Sequence, residues 1–456
     1  MTHFEMADES ALRPTSEIGA WLSLAVMVAV MLFATIDRQV FGLVAAEMSN
    51  TLHLSNSQLG FIQGLGFAAF TCIAAYPIAW CADRFDRRLV LAACIVSWAI
   101  GTAVCGLASG FSALFVASAA VAAAEAGVAP IFMSMLPELF RGQARVTATM
   151  VYYIAVSLSM ASGLFLVGAM ISALDSVRPL LTPLAHLENW RLAFLAAAAP
   201  FPILLLLINF LPTGHGPNIQ TRLHPTAAPI RPFLRSNRKS VSLVLGANVC
   251  FALGVTGILA WTPVSLTRIF GLSAAHVGMV LGGVIAVASI AGVAAGNFIL
   301  RYLQRRLGFR AAPRIIWVSL LASLPLISLI PFALAPWQVF ACVGIQVFAS
   351  TIAGASSISL LQDLAPAEMR ARIMALGAMT NGPAVGIGIA GAAFLGDLIE
   401  AGPQSLLWGG LCISVPAWLL CILLLKLVET PFETTAREST GLKHPLDLAQ
   451  PNGCAG

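Results

Sequence analysis

Charge is what this chain has least of: only 10% of its 456 residues are Asp, Glu, Lys or Arg, against about 25% in soluble domains. So few charges cannot cover a water-soluble surface of this size. With 59% hydrophobic residues and a mean hydropathy of +0.88, a soluble globule is excluded. Metal and redox chemistry also lack their usual signs. The nine cysteines fall mostly inside apolar runs, as at Cys72, Cys94, Cys105, Cys250, Cys342, Cys412 and Cys421. None shows paired ligand spacing, so they read as small packing residues. There is no nucleotide-binding loop, and His53, His186 and His276 are scattered over different loops. An enzyme, an ATP-driven pump, and a metal or cofactor protein are therefore not expected. The first twenty residues carry Glu5, Asp8, Glu9 and Glu17 against a single Arg13. They lack the basic start of a secretory signal peptide and read as a solvated tail before an uncleaved first span.

What is present is a series of apolar windows. Six lie near 21–44, 58–80, 89–108, 112–136, 147–172 and 190–211, and six more near 241–266, 276–300, 312–335, 337–362, 371–398 and 404–427. Each approaches or exceeds the roughly 20 residues that a helix needs to cross a bilayer. The reading is an all-α polytopic membrane protein with 12 transmembrane helices in two six-helix bundles, with Pro331 and Pro336 placed at an outer turn. Its expected parts are a tail at 1–19, a first bundle at 20–211, a linker at 212–240, a second bundle at 241–427 and a tail at 428–456. The linker holds five prolines and five basic residues with no acid, which suits a solvated connection. Its basic residues serve topology first, with contact to anionic lipid heads as the alternative.

The net charge of +5 follows topology, not nucleic acid. Seventeen of the 25 Lys and Arg residues fall in alternate loops, from Arg84 through Arg145 and Arg314 to Arg372. The opposite loops hold Arg178, Arg191 and Arg268. By the positive-inside rule the first set is cytoplasmic, with both termini inside. A weak repeat relates the halves: Leu136-Pro137-Glu138-Leu139 leads to Arg145-Val146-Thr147-Ala148, and Leu361-Gln362-Asp363-Leu364 leads to Arg372-Ile373-Met374-Ala375. Repeated six-helix halves are the architecture of the major facilitator fold.

Ionisable residues inside the spans carry the functional reading. Asp37-Arg38 sits seventeen residues into the first apolar stretch, where a charge costs at least about 2.5–3.5 kcal/mol unless it faces a polar interior. Glu125 lies among Ala122, Ala123, Ala124, Ala126 and Gly127 in the fourth span. It reads as a lone carboxylate whose charged form desolvation penalises, which makes it a proton carrier, or as a neutral acid bonding two helices. Adjacent helix positions point about 100° apart, so Arg38 serves Asp37 only with contortion and is better placed to meet an anionic group of a substrate. Tyr152, Asn248 and Asn381 are further candidates for the cavity lining. Gly377, Gly382, Pro383, Gly386, Gly388 and Gly391 let the eleventh span bend and pack closely.

Between spans two and three runs Ala79-Trp80-Cys81-Ala82-Asp83-Arg84-Phe85-Asp86-Arg87-Arg88. It resembles the signature loop of the major facilitator superfamily, although Ala79 and Asp86 replace its two glycines. Asp83 can accept hydrogen bonds from a helix start in the other half or pair with Arg141 or Arg145. Asp83, Arg84, Arg87, Arg88 and Arg145 are the expected cytoplasmic gate. Three features resemble the Spinster branch: Asp37-Arg38-Gln39-Val40, the run Leu54-Ser55-Asn56-Ser57-Gln58-Leu59-Gly60, and Glu125-Ala126-Gly127. With the loop at Asp83, the resemblance covers about the first 150 residues; the second half matches as generic superfamily. It implies a monomeric transporter in which Asp37 and Glu125 couple protons, with lysolipid-like or other amphipathic organic anions as substrates, and it sets the chain in a bacterial inner membrane. One departure stands out. Members of that branch usually carry an arginine seven residues before the glutamate, and here that residue is Ser118, a candidate substrate contact. Asp37 is left with Arg38 or a substrate cation as partner, and an uncoupled facilitator stands as the alternative. The fifth span lacks the Gly-Pro element typical of drug-proton antiporters, which lowers the drug-exporter alternative.

Overall fold

In the absence of water a backbone must satisfy its own hydrogen bonds, and among the described residues this chain does so with helices. A computed structural model describes residues 17–178, 186–212, 230–366, 369–399 and 401–440. The first half comprises α1 (Glu17–Leu52), α2 (Asn56–Gly60), α3 (Phe67–Arg84), α4 (Arg87–Leu107), α5 (Phe111–Leu139), α6 (Gly142–Val177), α7 (Asn189–Ala198) and α8 (Phe201–Leu207). A short α9 (Ile230–Ser236) leads to the second half: α10 (Arg238–Leu259), α11 (Thr262–Phe270), α12 (Ala274–Leu307), α13 (Ala311–Leu329), α14 (Pro336–Asp363), α15 (Arg370–Leu398) and α16 (Ser405–Thr440). Among the described residues ten stretches are long and apolar enough to cross a bilayer, and the bent α6 is an eleventh. The longest, Ala274–Phe332, holds both α12 and α13, so the spans number twelve. The second span joins α2 to α3 through a π-helical segment, Phe61–Gly66. The sixth joins α7 to α8, and the seventh joins α10 to α11.

The structure lengthens the last span. α16 continues through 428–440, residues that the sequence alone assigns to a tail. There Glu429 accepts from Arg314 (3.2 Å) and Glu433 from Arg310 (2.5 Å), which holds the extension against the start of α13. Likewise α9 and the start of α10 lie within the stretch assigned to the linker. Residues 1–16, 213–229 and 441–456 lie outside the described residues.

Each half has its own buried aromatic centre, at Trp98, Phe132 and Phe201 in the first and Trp261, Trp418 and Phe432 in the second. The halves meet through small residues. A Cβ on Gly168 of α6 would stand 2.5 Å from the Met279 nitrogen of α12, and one on Gly64 of the π-helical segment 2.4 Å from the Gly386 carbonyl of α15. All of these residues lie toward the end of the bundle with few arginines. Gly168→Val should therefore fail to seat α6 on α12, at a cost of about 1–3 kcal/mol for overpacking. A lower unfolding temperature in detergent would show it, and an unchanged one would mean the crossing yields.

At the arginine-rich end, ion pairs among the described residues include Arg87 with Glu138 inside the first half and Arg310 with Glu433 inside the second. Met160 of α6 and Met379 of α15 are exposed there or on the path from it, and a Cβ on Gly382 would meet nothing within 4 Å. The bundle is closed at the arginine-poor end and open toward the arginine-rich one.

Candidate functional site

A cavity of about 410 Å³ lies between the halves. Its polar wall comes from the first half, with Asp37, Arg38, Gln39, Gln63, Thr102, Ser118 and Glu125. Its other wall, from α10, α11, α12 and α15, is apolar apart from Thr256 and includes Leu259, Pro263, Ile285, Val385 and Ile389. The cavity is thus charged on one side and apolar on the other.

Local structure explains how the polar wall is presented. Asp37 and Arg38 are neighbours on α1, so their side chains diverge. Asp37 turns into the first half and is buried. There its Oδ2 accepts from Trp98 Nε1 (2.7 Å) and Thr102 Oγ1 (3.0 Å), both on α4. Oδ1 is buried without a hydrogen-bond partner. Arg38 turns to α5, donates to Glu125, and lies 4.7 Å over the Phe67 ring. Its side chain is 57% exposed, whereas that of Glu125 is 4% exposed. The π-helical segment lends the cavity Ile62 and Gln63; such segments bulge a helix and often mark functional positions.

These contacts correct three expectations. Glu125 is not a lone carboxylate among alanines, because Arg38 reaches it across the gap between α1 and α5. For the same reason Arg38 is not unengaged before substrate arrives. Asp37 has partners in Trp98 and Thr102, in place of the expected Arg38 or substrate cation. A signal for them existed: two donors four residues apart share one face of α4. Ser118 does line the cavity, 3.7 Å from the Cys105 sulfur.

Tyr152, Asn248 and Asn381 do not line it. Tyr152 is buried in the core of the first half. Asn248 donates to the Gly377 carbonyl (3.4 Å) and accepts from Ser357 (3.5 Å), so its amide bonds helices of the second half together. Asn381 is half-buried on α15 outside the lining.

The signature loop is likewise occupied within its own half. Arg84 stacks 4.2 Å over Trp80, Arg87 donates to Glu138 (2.9 Å), and Arg88 donates to the Asn209 carbonyl (3.2 Å). Asp83 and Arg145 are exposed. Among the described residues neither forms an ion pair, as befits an end that stands open.

Comparison with known proteins agrees with this architecture. Residues 27–391 match the family model of the Major Facilitator Superfamily. An "MFS-type efflux pump" of Mycolicibacterium smegmatis is 25% identical over 365 residues, 78% of this chain and 80% of that protein. "Protein spinster homolog 3" of Danio rerio is 26% identical over 331 residues, 68% of this chain and 63% of its own length. Among solved structures, a bacterial homologue of the human lysosomal transporter Spinster, in an inward-facing and unoccupied conformation, superposes with a TM-score of 0.73 at 21% identity. The match covers 93% of this chain and 98% of that one.

Proposed function

The chain belongs to the Major Facilitator Superfamily and is a membrane transporter of Spinster-like type, and we propose that it moves an amphipathic organic solute by alternating access, coupled to protons through Asp37 and Glu125. The observation that carries the coupling is the pair of buried carboxylate oxygens without donors, Asp37 Oδ1 and Glu125 Oε1, both on residues that line the central cavity. A buried carboxylate with one oxygen left unbonded is a poorly solvated anion, and a proton on that oxygen neutralises the charge.

Arg38 links the two events. More than half exposed to the cavity, it can turn from Glu125 to the anionic group of a solute whose apolar part lies along Leu259, Ile285 and Ile389. Glu125, still buried, would then carry an unpaired charge and take up the one proton that Asp37 holds before solute arrives. Solute and proton binding therefore reinforce each other, as in a symporter. By the arginine count the open end and both termini face the cytoplasm, in a bacterial inner membrane. The chain works as a monomer. When the basic end closes, Asp83 and the arginines at 84, 87, 88 and 145 come within reach of the other half.

Proteoliposomes with an imposed pH gradient test this. Labelled amphipathic anions, sugar acids and lysolipids are offered in turn, and at least one should accumulate with the gradient and not without it. Transport indifferent to the gradient would remove the coupling and leave a facilitator, the reading that Ser118 in place of the usual arginine favours. A solute moved outward only, whatever its charge, would favour an exporter.

A further inference from the structure

The second and eleventh spans lie side by side and run in opposite directions, crossing where Gly60 meets Ala393 and Gly64 meets Gly386. Each ends in an aspartate one residue before its last turn closes: Asp83 in α3 and Asp397 in α15. At the open, arginine-rich end Asp83 is exposed and outside any ion pair among the described residues. At the closed end Asp397 is fully engaged with the other half. Its Oδ2 accepts from the Ser57 backbone N–H (2.7 Å) and the Ser57 hydroxyl (2.5 Å), and its Oδ1 from the Asn56 N–H (3.3 Å). Ser55 takes the next N–H of α2, that of Gln58 (3.1 Å). The first donors of the helix are thus shared between its own cap and a carboxylate from the opposite bundle.

A second arm reinforces the first. Arg268 of α11, one of three arginines on the arginine-poor side, donates to Asn56 Oδ1 (2.7 Å) and to Ser49 Oγ (2.9 Å) at the end of α1. Five hydrogen bonds, all with a charged partner, therefore tie α1 and α2 to α11 and α15 at this one place. Charge-assisted bonds are the stronger kind, and a carboxylate at a helix start also gains from the helix dipole. None of the five survives if the two ends separate. The same four elements or their direct continuations wall the cavity, so the clamp sits where an opening motion must begin.

We infer that Asp397 and Arg268, closing on Ser49, Asn56 and Ser57, form the latch that holds the arginine-poor end shut, and that its release sets how often the opposite face opens. This gives a role to the stretch Leu54–Gly60. It rests on the alternating-access reading, and the test below separates the two.

Spin labels are placed at Ser109 and Leu334, on exposed arginine-poor loops of the two halves, with the native cysteines replaced. Pulsed dipolar spectroscopy then reads the separation of those ends in the purified full-length protein. The latched chain should show chiefly a short distance. Asp397→Ala, which removes three of the five bonds, and Arg268→Ala, which removes two, should each raise the ratio of long to short distances by at least about tenfold, the scale of losing a single charge-assisted hydrogen bond. Asp397→Asn, which keeps one acceptor oxygen, should fall between. Both single variants must elute as monodisperse protein, and a variant that does not is replaced by Ser57→Ala, which removes the shortest contact. If the parent chain shows both distances under a change of pH while the variants match it, the latch is wrong and alternating access stands. If no chain shows a second distance at any pH, alternating access fails, and the latch with it.

Discussion

Asp37→Asn protein, reconstituted into vesicles, should exchange labelled solute across the membrane yet accumulate none against a pH gradient. One coupled proton sustains about tenfold accumulation for each unit of pH difference, since one unit is worth about 1.4 kcal/mol. The parent chain should approach that ratio, and the variant should stop at equal concentrations inside and out. Asparagine keeps the size of the side chain and can still accept from Trp98 and Thr102, whose bonds to Asp37 Oδ2 are 2.7 and 3.0 Å. What it cannot do is gain and lose a proton at the position of Oδ1. Exchange at zero gradient needs no proton transfer and serves as the control for folding. A variant that still accumulates solute would show that Asp37 holds the first half together and carries nothing.

Arg38→Ala should cost about 1–3 kcal/mol of stability, less than for a fully buried ion pair because the Arg38 side chain is 57% exposed. The cost arises on Glu125, whose side chain is 4% exposed and which must either stay an uncompensated anion or bind a proton. Adding Glu125→Gln to the same chain should recover most of the loss, because the neutral amide needs no counter-charge. Unfolding midpoints for the two single variants and the double variant close a cycle from which the coupling can be read. Additive single effects would mean that Arg38 and Glu125 are neighbours without being partners. That outcome would also undo the exchange of Arg38 between Glu125 and a solute.

The two effects differ in kind because the two carboxylates are held differently. Asp37 is buried by neutral donors from one helix, so it can change charge without disturbing the fold. Glu125 is held by a cation that also faces the cavity, so its charge follows what the cation does. A transporter needs both properties: a site that stores a proton, and a site that senses whether the solute is present.

Hydropathy alone placed the twelve spans, the two halves and the line of arginines along one face, because each of these depends on residues near one another in the chain. The same is true of the signature loop and of the ionisable positions in α1 and α5. Which residue Arg38 would meet, and what would hold Asp37, could not be read there. Those pairings join positions 87, 61 and 65 residues apart, and they follow from how each helix is rotated about its axis. The clamp between Ser57 and Asp397 spans 340 residues and belongs to one arrangement of the halves only. Sequence by itself determined which groups enter the membrane, since the expense of burying them is a property of each residue. Tertiary structure decided which of them meet, since a partner is chosen by distance and direction after the helices have packed.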